Sequence, residues 1–281
     1  MKARIVLLFL LLSLPYLKGC SLIARNAVVQ GKMTSLHNLP RIDPNDPNCS
    51  ISSIDIVNTV HGESIDIKIK KNSFAIDMGE GPCRVKFQKH PGPKRRLDNS
   101  IILEGELAGS LREYPINIDT GVPGYILVND IHILENNLPV YHNPDDLDGI
   151  CCLPDLRIGE LHLRNLTAKY YFKHSELQLF RLPIEKNNEI TIGLSLLQMF
   201  KYIAFDNINR EVEFSTTQGF PTPDQSRWSR HPFSIESDSQ GNSRLFVEMP
   251  IGGQNMNLIL DTGYEAALLM SEKTWQLTQQ R

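Results

Sequence analysis

The chain has 281 residues, enough for one large domain or two modest ones. Apolar residues make up 41% and charged residues 22%, which argues against extended disorder. A formal net charge of -3 lacks the basic excess of a nucleic-acid binder, and no nucleic acid is expected as a partner.

Lys2 and Arg4 precede the apolar run Ile5-Val6-Leu7-Leu8-Phe9-Leu10-Leu11-Leu12. That is the form of a secretory signal over residues 1–20, and it is short for a membrane span. Leu17-Lys18-Gly19-Cys20 resembles the bacterial lipoprotein box, which implies lipidation of Cys20 and a membrane anchor through it. Lys18 departs from the small or apolar residue usual there, and ordinary signal cleavage is the alternative. The protein is therefore expected to be exported to the cell envelope, periplasmic or at the surface.

Residues 21–50 are polar, with Pro40, Pro44 and Pro47, and read as a tether. Ile54, Ile56 and Ile65-Asp66-Ile67-Lys68-Ile69 then alternate at the strand period, as does Val85-Lys86-Phe87. This β segment holds no catalytic constellation and is expected to pack on the lobe that follows. Ile76-Asp77-Met78-Gly79 reads as a plain turn, and His90-Pro91-Gly92-Pro93-Lys94-Arg95-Arg96 as a solvated basic loop.

Ile101-Ile102-Leu103 opens the lobe, Gly109 marks a hairpin turn, and the strand from Leu111 to Ile118 runs into Asp119-Thr120-Gly121. The same grammar returns later. Phe246-Val247-Glu248-Met249, a turn at Gly252-Gly253-Gln254-Asn255, and Met256 to Leu260 lead into Asp261-Thr262-Gly263. This is a repeat of two members. Pro221, Pro223 and Pro232 mark a linker over 219–232, between a first lobe at 51–218 and a second at 233–281. Short helices are expected near Leu194–Phe200 and Ser271–Gln276 in an otherwise β chain.

The residue types suggest the chemistry. Two carboxylates delivered by apolar strands share a proton, because like charges so close cannot both ionise cheaply. One takes a proton from a water that attacks a peptide carbonyl, and the other protonates the carbonyl oxygen and then the leaving nitrogen. Threonine hydroxyls can donate and accept, which suits a buried cross-link between halves. Glycine lets the opposing backbone approach a carboxylate. No cofactor is needed.

These triads resemble the active-site signature of aspartic proteases of the pepsin and retropepsin type. Ile190-Thr191-Ile192-Gly193-Leu194 resembles the two-apolar-then-glycine motif that threads behind the active-site loop in that family. Leu196-Leu197-Gln198-Met199-Phe200, Ile203-Ala204-Phe205-Asp206 and Val212-Glu213-Phe214 are similar to the helix and closing hairpin of a retropepsin-like lobe. Leu153-Pro154-Asp155-Leu156-Arg157-Ile158-Gly159 with Leu161-His162-Leu163 resembles the paired mid-lobe strands of bacterial members. The resemblance implies β-barrel lobes, catalytic Asp119 and Asp261, supporting Thr120, Gly121, Thr262, Gly263, Ile192 and Gly193, and a peptide or protein substrate.

Two departures stand against it. Val122-Pro123 and Tyr264 occupy positions where the family often has Ser, Thr or Ala. Only Tyr264 to Arg281 follow the second triad, too few to build a lobe, so the second lobe is incomplete and the natural chain is expected to continue. The alternatives are a degenerate pepsin-like surface protein that binds peptide or another ligand, and a single-lobe protease pairing Asp119 across a homodimer.

Cys49, Cys83, Cys151 and Cys152 remain if Cys20 is lipidated. Cys49 with Cys83 is one candidate bridge, though spacing does not fix connectivity. Cys151 and Cys152 lack metal-ligand neighbours, and no metal site is expected.

Overall fold

The computed structural model describes residues 39–47, 49–59, 62–70, 74–88, 101–107, 110, 112–142, 149–171, 188–221, 228–237, 243–251 and 253–263. The expected signal, Cys20, the basic loop at 90–96, Tyr264 and the helix at Ser271–Gln276 lie outside these residues. Within them the chain is mainly β.

The barrel is built from β5 (Ile101–Leu107), β6 (Glu113–Asp119), β7 (Ile126–Asn129), β9 (Gly149–Ile158), β10 (Leu161–Tyr171) and β11 (Ile190–Gly193). Their pairings run β10-β7-β11-β6-β5-β9 and close through β9 with β10. Alternation drives the closure. Along β6, Tyr114, Ile116 and Ile118 are buried while the residues between them are not. Leu103, Leu153, Leu156, Leu163 and Ile190 meet them from the other strands. Each such side chain contributes about 1.5 to 3 kcal/mol by leaving water. The β9–β10 hairpin pairs Leu156 with Leu163 and Ile158 with Leu161, where the sequence places paired mid-lobe strands.

Between β7 and β9 lie a helix not anticipated from sequence, α1 (Asp130–Asn136), and β8 (Val140–His142). The Asn129 side chain caps α1 by accepting from the Ile131 amide at 3.0 Å. The second helix, α2 (Leu194–Leu197), is shorter than expected. The Lys201 amide donates to the Ser215 carbonyl at 2.6 Å, drawing the chain at once into the next strand. That strand is β12 (Tyr202–Asp206), which with β13 (Glu211–Ser215) and β4 (Cys83–Lys86) makes a three-stranded sheet. β3 (Ala75–Asp77) pairs with β10, and Asp77 ends it in a turn at Gly79. β1 (Ile51–Thr59) and β2 (Gly62–Ile69) form a hairpin of their own.

Two expectations are corrected. Residues 39–47 and 49–50 belong to the lobe rather than to a tether. The Val140 amide donates to the Pro40 carbonyl at 2.8 Å, and the Ile42 amide donates to the Val140 carbonyl at 3.2 Å. An edge strand leaves such groups unpaired, and this strap satisfies them on β8. The disulfide joins Cys49 to Cys152, not to Cys83. Cys83 is a free thiol in the main core on β4, whereas Cys49 and Cys152 pack with Ile51 and Ile150 in a separate buried cluster.

The second repeat supplies β14 (Phe233–Ser237), β15 (Ser243–Ile251) and β16 (Gln254–Ile259), one antiparallel sheet. Its hairpin turns at Gly253, whose φ of 81° lies where side chains are disfavoured. Among the described residues this sheet stays open. Phe233 is 69% exposed and Leu260 46%, whereas Ile118, one residue before the first triad as Leu260 is before the second, is fully buried.

Candidate active site

β6 ends at Asp119, and β16 leads through Leu260 to Asp261. β11 lies parallel to β6, pairing Ile192 with Ile118 and Gly193 with Asp119. The apolar residues before each acid are held by strand pairing, so each carboxylate sits at the end of a fixed ladder.

The two triads meet. The Thr120 hydroxyl donates to the Leu260 carbonyl at 2.7 Å and accepts from the Thr262 amide at 3.0 Å. The Thr262 hydroxyl donates to the Ile118 carbonyl at 2.7 Å and accepts from the Thr120 amide at 3.1 Å. Four hydrogen bonds at about 1 kcal/mol each thus join segments 142 residues apart. The acceptor carbonyls of Ile118 and Leu260 carry no sequence signal, since any residue could supply them.

Each carboxylate lies over the opposing glycine. A Cβ on Gly121 would stand 2.5 Å from Asp261 Oδ2, and one on Gly263 would collide with Asp119 Oδ2. The Gly121 amide donates to Asp119 Oδ1 at 2.8 Å, and the Gly263 amide to Asp261 Oδ1 at 3.0 Å. Asp119 and Asp261 thus lie side by side, each against the other's triad, close enough for the charge of one to act on the other. Burial pushes the Asp119 carboxyl up to about 6, the Gly121 amide pulls it back, and the Asp261 charge raises it further. A pair so placed can hold one proton between two carboxyl groups, serving as acid and base at once.

Gly193 sits against the loop after the first triad, where a Cβ would lie 2.7 Å from the Val122 carbonyl and collide with that of Gly124. Ile192 is buried beside it. Sequence reasoning missed Ser195, whose hydroxyl donates to the Pro123 carbonyl. A serine two residues after a glycine motif carries no signal by itself. Among the described residues, no group of three His, Cys, Asp or Glu side chains could hold a metal ion, and no helix is long and apolar enough to cross a membrane.

No family model and no curated protein matches this chain.

Proposed function

We propose that the protein is an aspartic endopeptidase of the pepsin and retropepsin type. The observation that carries this reading is the juxtaposition of Asp119 and Asp261 over a reciprocal Thr120–Thr262 cross-link. The proton held on Asp119 is delivered to the substrate carbonyl oxygen, while Asp261 takes a proton from the attacking water. The neutral amine product then leaves with a proton returned from the pair. β11 behind Asp119 and the reciprocal Thr120–Thr262 hydrogen bonds hold the two carboxyl groups together before substrate arrives, so little reorganisation is needed.

Export is part of the proposal, with Cys20 as anchor. The Cys49–Cys152 disulfide supports an oxidising compartment.

A second reading, a peptide-binding protein that does not cut, is favoured by the open sheet β14–β16, which leaves apolar side chains exposed on the Asp261 side. Mass spectrometry separates the two. An unfolded protein substrate incubated in mildly acidic buffer with the complete protein should yield new peptides, absent with Asp119→Asn. Substrate that is retained by the chain yet recovered intact at every pH would give first place to the binding reading.

A further inference from the structure

The loop after the first triad is poorly equipped to hold itself. Val122 has no hydroxyl to offer the carboxylate, Pro123 has no amide hydrogen, and Gly124 has no side chain. Support comes from behind. The Leu194 amide donates to the Val122 carbonyl at 2.7 Å, the Ser195 amide to that of Gly124 at 3.2 Å, and the Gly193 amide to that of Tyr125 at 2.9 Å. The Pro123 carbonyl accepts from the Ser195 hydroxyl. Every carbonyl from Val122 to Tyr125 is thus taken by residues 193 to 195. Three of these donors are amides that almost any residue would supply. The fourth is a side chain, and only a hydroxyl or a similarly short donor at position 195 provides it.

We propose that Ser195 is a positioning residue, whose hydroxyl holds the Val122-Pro123-Gly124 loop in register with the Asp119 carboxyl group. The inference rests on the proteolytic reading of the site. Its route to the chemistry is the turn at the triad, where the Val122 amide donates to the Asp119 main-chain carbonyl at 3.2 Å and the Gly121 amide to the Asp119 carboxyl group at 2.8 Å. When the Pro123 carbonyl loses its donor, the loop keeps its three amide contacts but loosens at its middle, and the turn that holds the Asp119 carboxyl group loses part of its support.

The test uses the complete protein, wild type and the variants Ser195→Ala, Ser195→Thr and Asp119→Asn. Two quantities are read: steady-state peptide cleavage across pH, and the titration midpoint of Asp119 by carbon NMR of carboxyl-labelled aspartate. Ser195→Ala should lower kcat about tenfold with KM unchanged, the effect of one hydrogen bond lost at the reacting pair. It should also move the Asp119 midpoint upward, and Ser195→Thr should restore both. Unchanged kcat and midpoint in Ser195→Ala, in a chain that Asp119→Asn inactivates, would overturn the inference and leave the proteolytic reading intact. A lower melting temperature with kcat and midpoint preserved would overturn it equally, by assigning Ser195 to the scaffold alone. If the wild type cleaves nothing, the proteolytic reading fails, and the Asp119 midpoint alone then decides whether Ser195 positions that carboxyl group.

Discussion

At the scale of single residues, Asp77, Asp119 and Asp261 share a local turn with different consequences. Each accepts from the amide of the glycine two residues on. Asp77 is exposed and faces Arg164 across 3.5 Å of surface. Asp119 and Asp261 face each other, and what separates them from Asp77 in sequence is the threonine between acid and glycine. That threonine makes the triads legible, because its hydroxyl alone can reach across to the other strand. Thr120→Val should leave the Leu260 carbonyl and the Thr262 amide without partners and cost about 2 to 4 kcal/mol, read by urea denaturation. Gly263→Ala should cost more in activity than in fold, since its methyl group would meet the Asp119 carboxylate directly.

The proton on Asp119 also predicts a stability profile. Its folded value of about 6 lies above the ordinary 3.8, so the native state holds a proton that the unfolded chain releases. This contribution is fully present below pH 3.8 and is lost as pH rises through 6. Asp119→Asn removes the ionisation. Its melting temperature should therefore gain on that of wild type as pH is raised from 4 to 7, with calorimetry as the check.

At the scale of elements, α1 shows what sequence could not. His132 is fully buried, and its Nδ1 accepts from the Asn129 amide at 3.1 Å. Its Nε2 lies 2.7 Å from the Asn188 carbonyl and must therefore carry the proton. The ring also packs edge-on against Tyr114 at 4.9 Å. In this way the start of α1 is tied to the residues that enter β11, the strand behind the site. A histidine in this place completes a capping box usually made by Glu or Gln, so the pattern was not read as a helix start. Burial lowers the His132 value below 6.5, although the nearby carbonyls and Glu135 oppose the shift. Its contribution to stability is full above pH 6.5 and is lost as pH falls through the lower folded value, opposite in sign to that of Asp119. His132→Gln keeps an acceptor for the Asn129 amide and should flatten this acid-side loss in denaturant titrations, whereas unaltered pH dependence would point to other groups.

At the scale of the whole molecule, the strand grammar was legible because each strand obeys a period of two that burial enforces locally. The strap and its disulfide were not legible. They depend on β8 standing as a free edge beside the closed barrel, a property of the assembled sheet. The Cys49–Cys152 link spans 103 residues, and the closure of so long a loop contributes about 4 to 5 kcal/mol by restricting the unfolded chain. Cys152→Ser should lose much of that, and Cys83→Ser should leave the cross-link intact, as peptide mapping under non-reducing conditions would show. The second repeat is legible as far as its triad. Its strands copy those of the first, yet its apolar face lacks the cover that closes the first barrel among the described residues.

The central claim is that Asp119 and Asp261 act as one proton-sharing unit. The pH–rate profile of peptide cleavage tests it most directly, taken for the wild type, Asp119→Asn, Asp261→Asn and the double variant. The account predicts a wild-type rate that is highest in acid and falls as the proton on Asp119 is lost, at about pH 6. Each single variant should lose turnover as fully as the double variant, because removing either carboxyl group removes the unit. Cleavage that survives Asp119→Asn, or losses that add in the double variant, would contradict it.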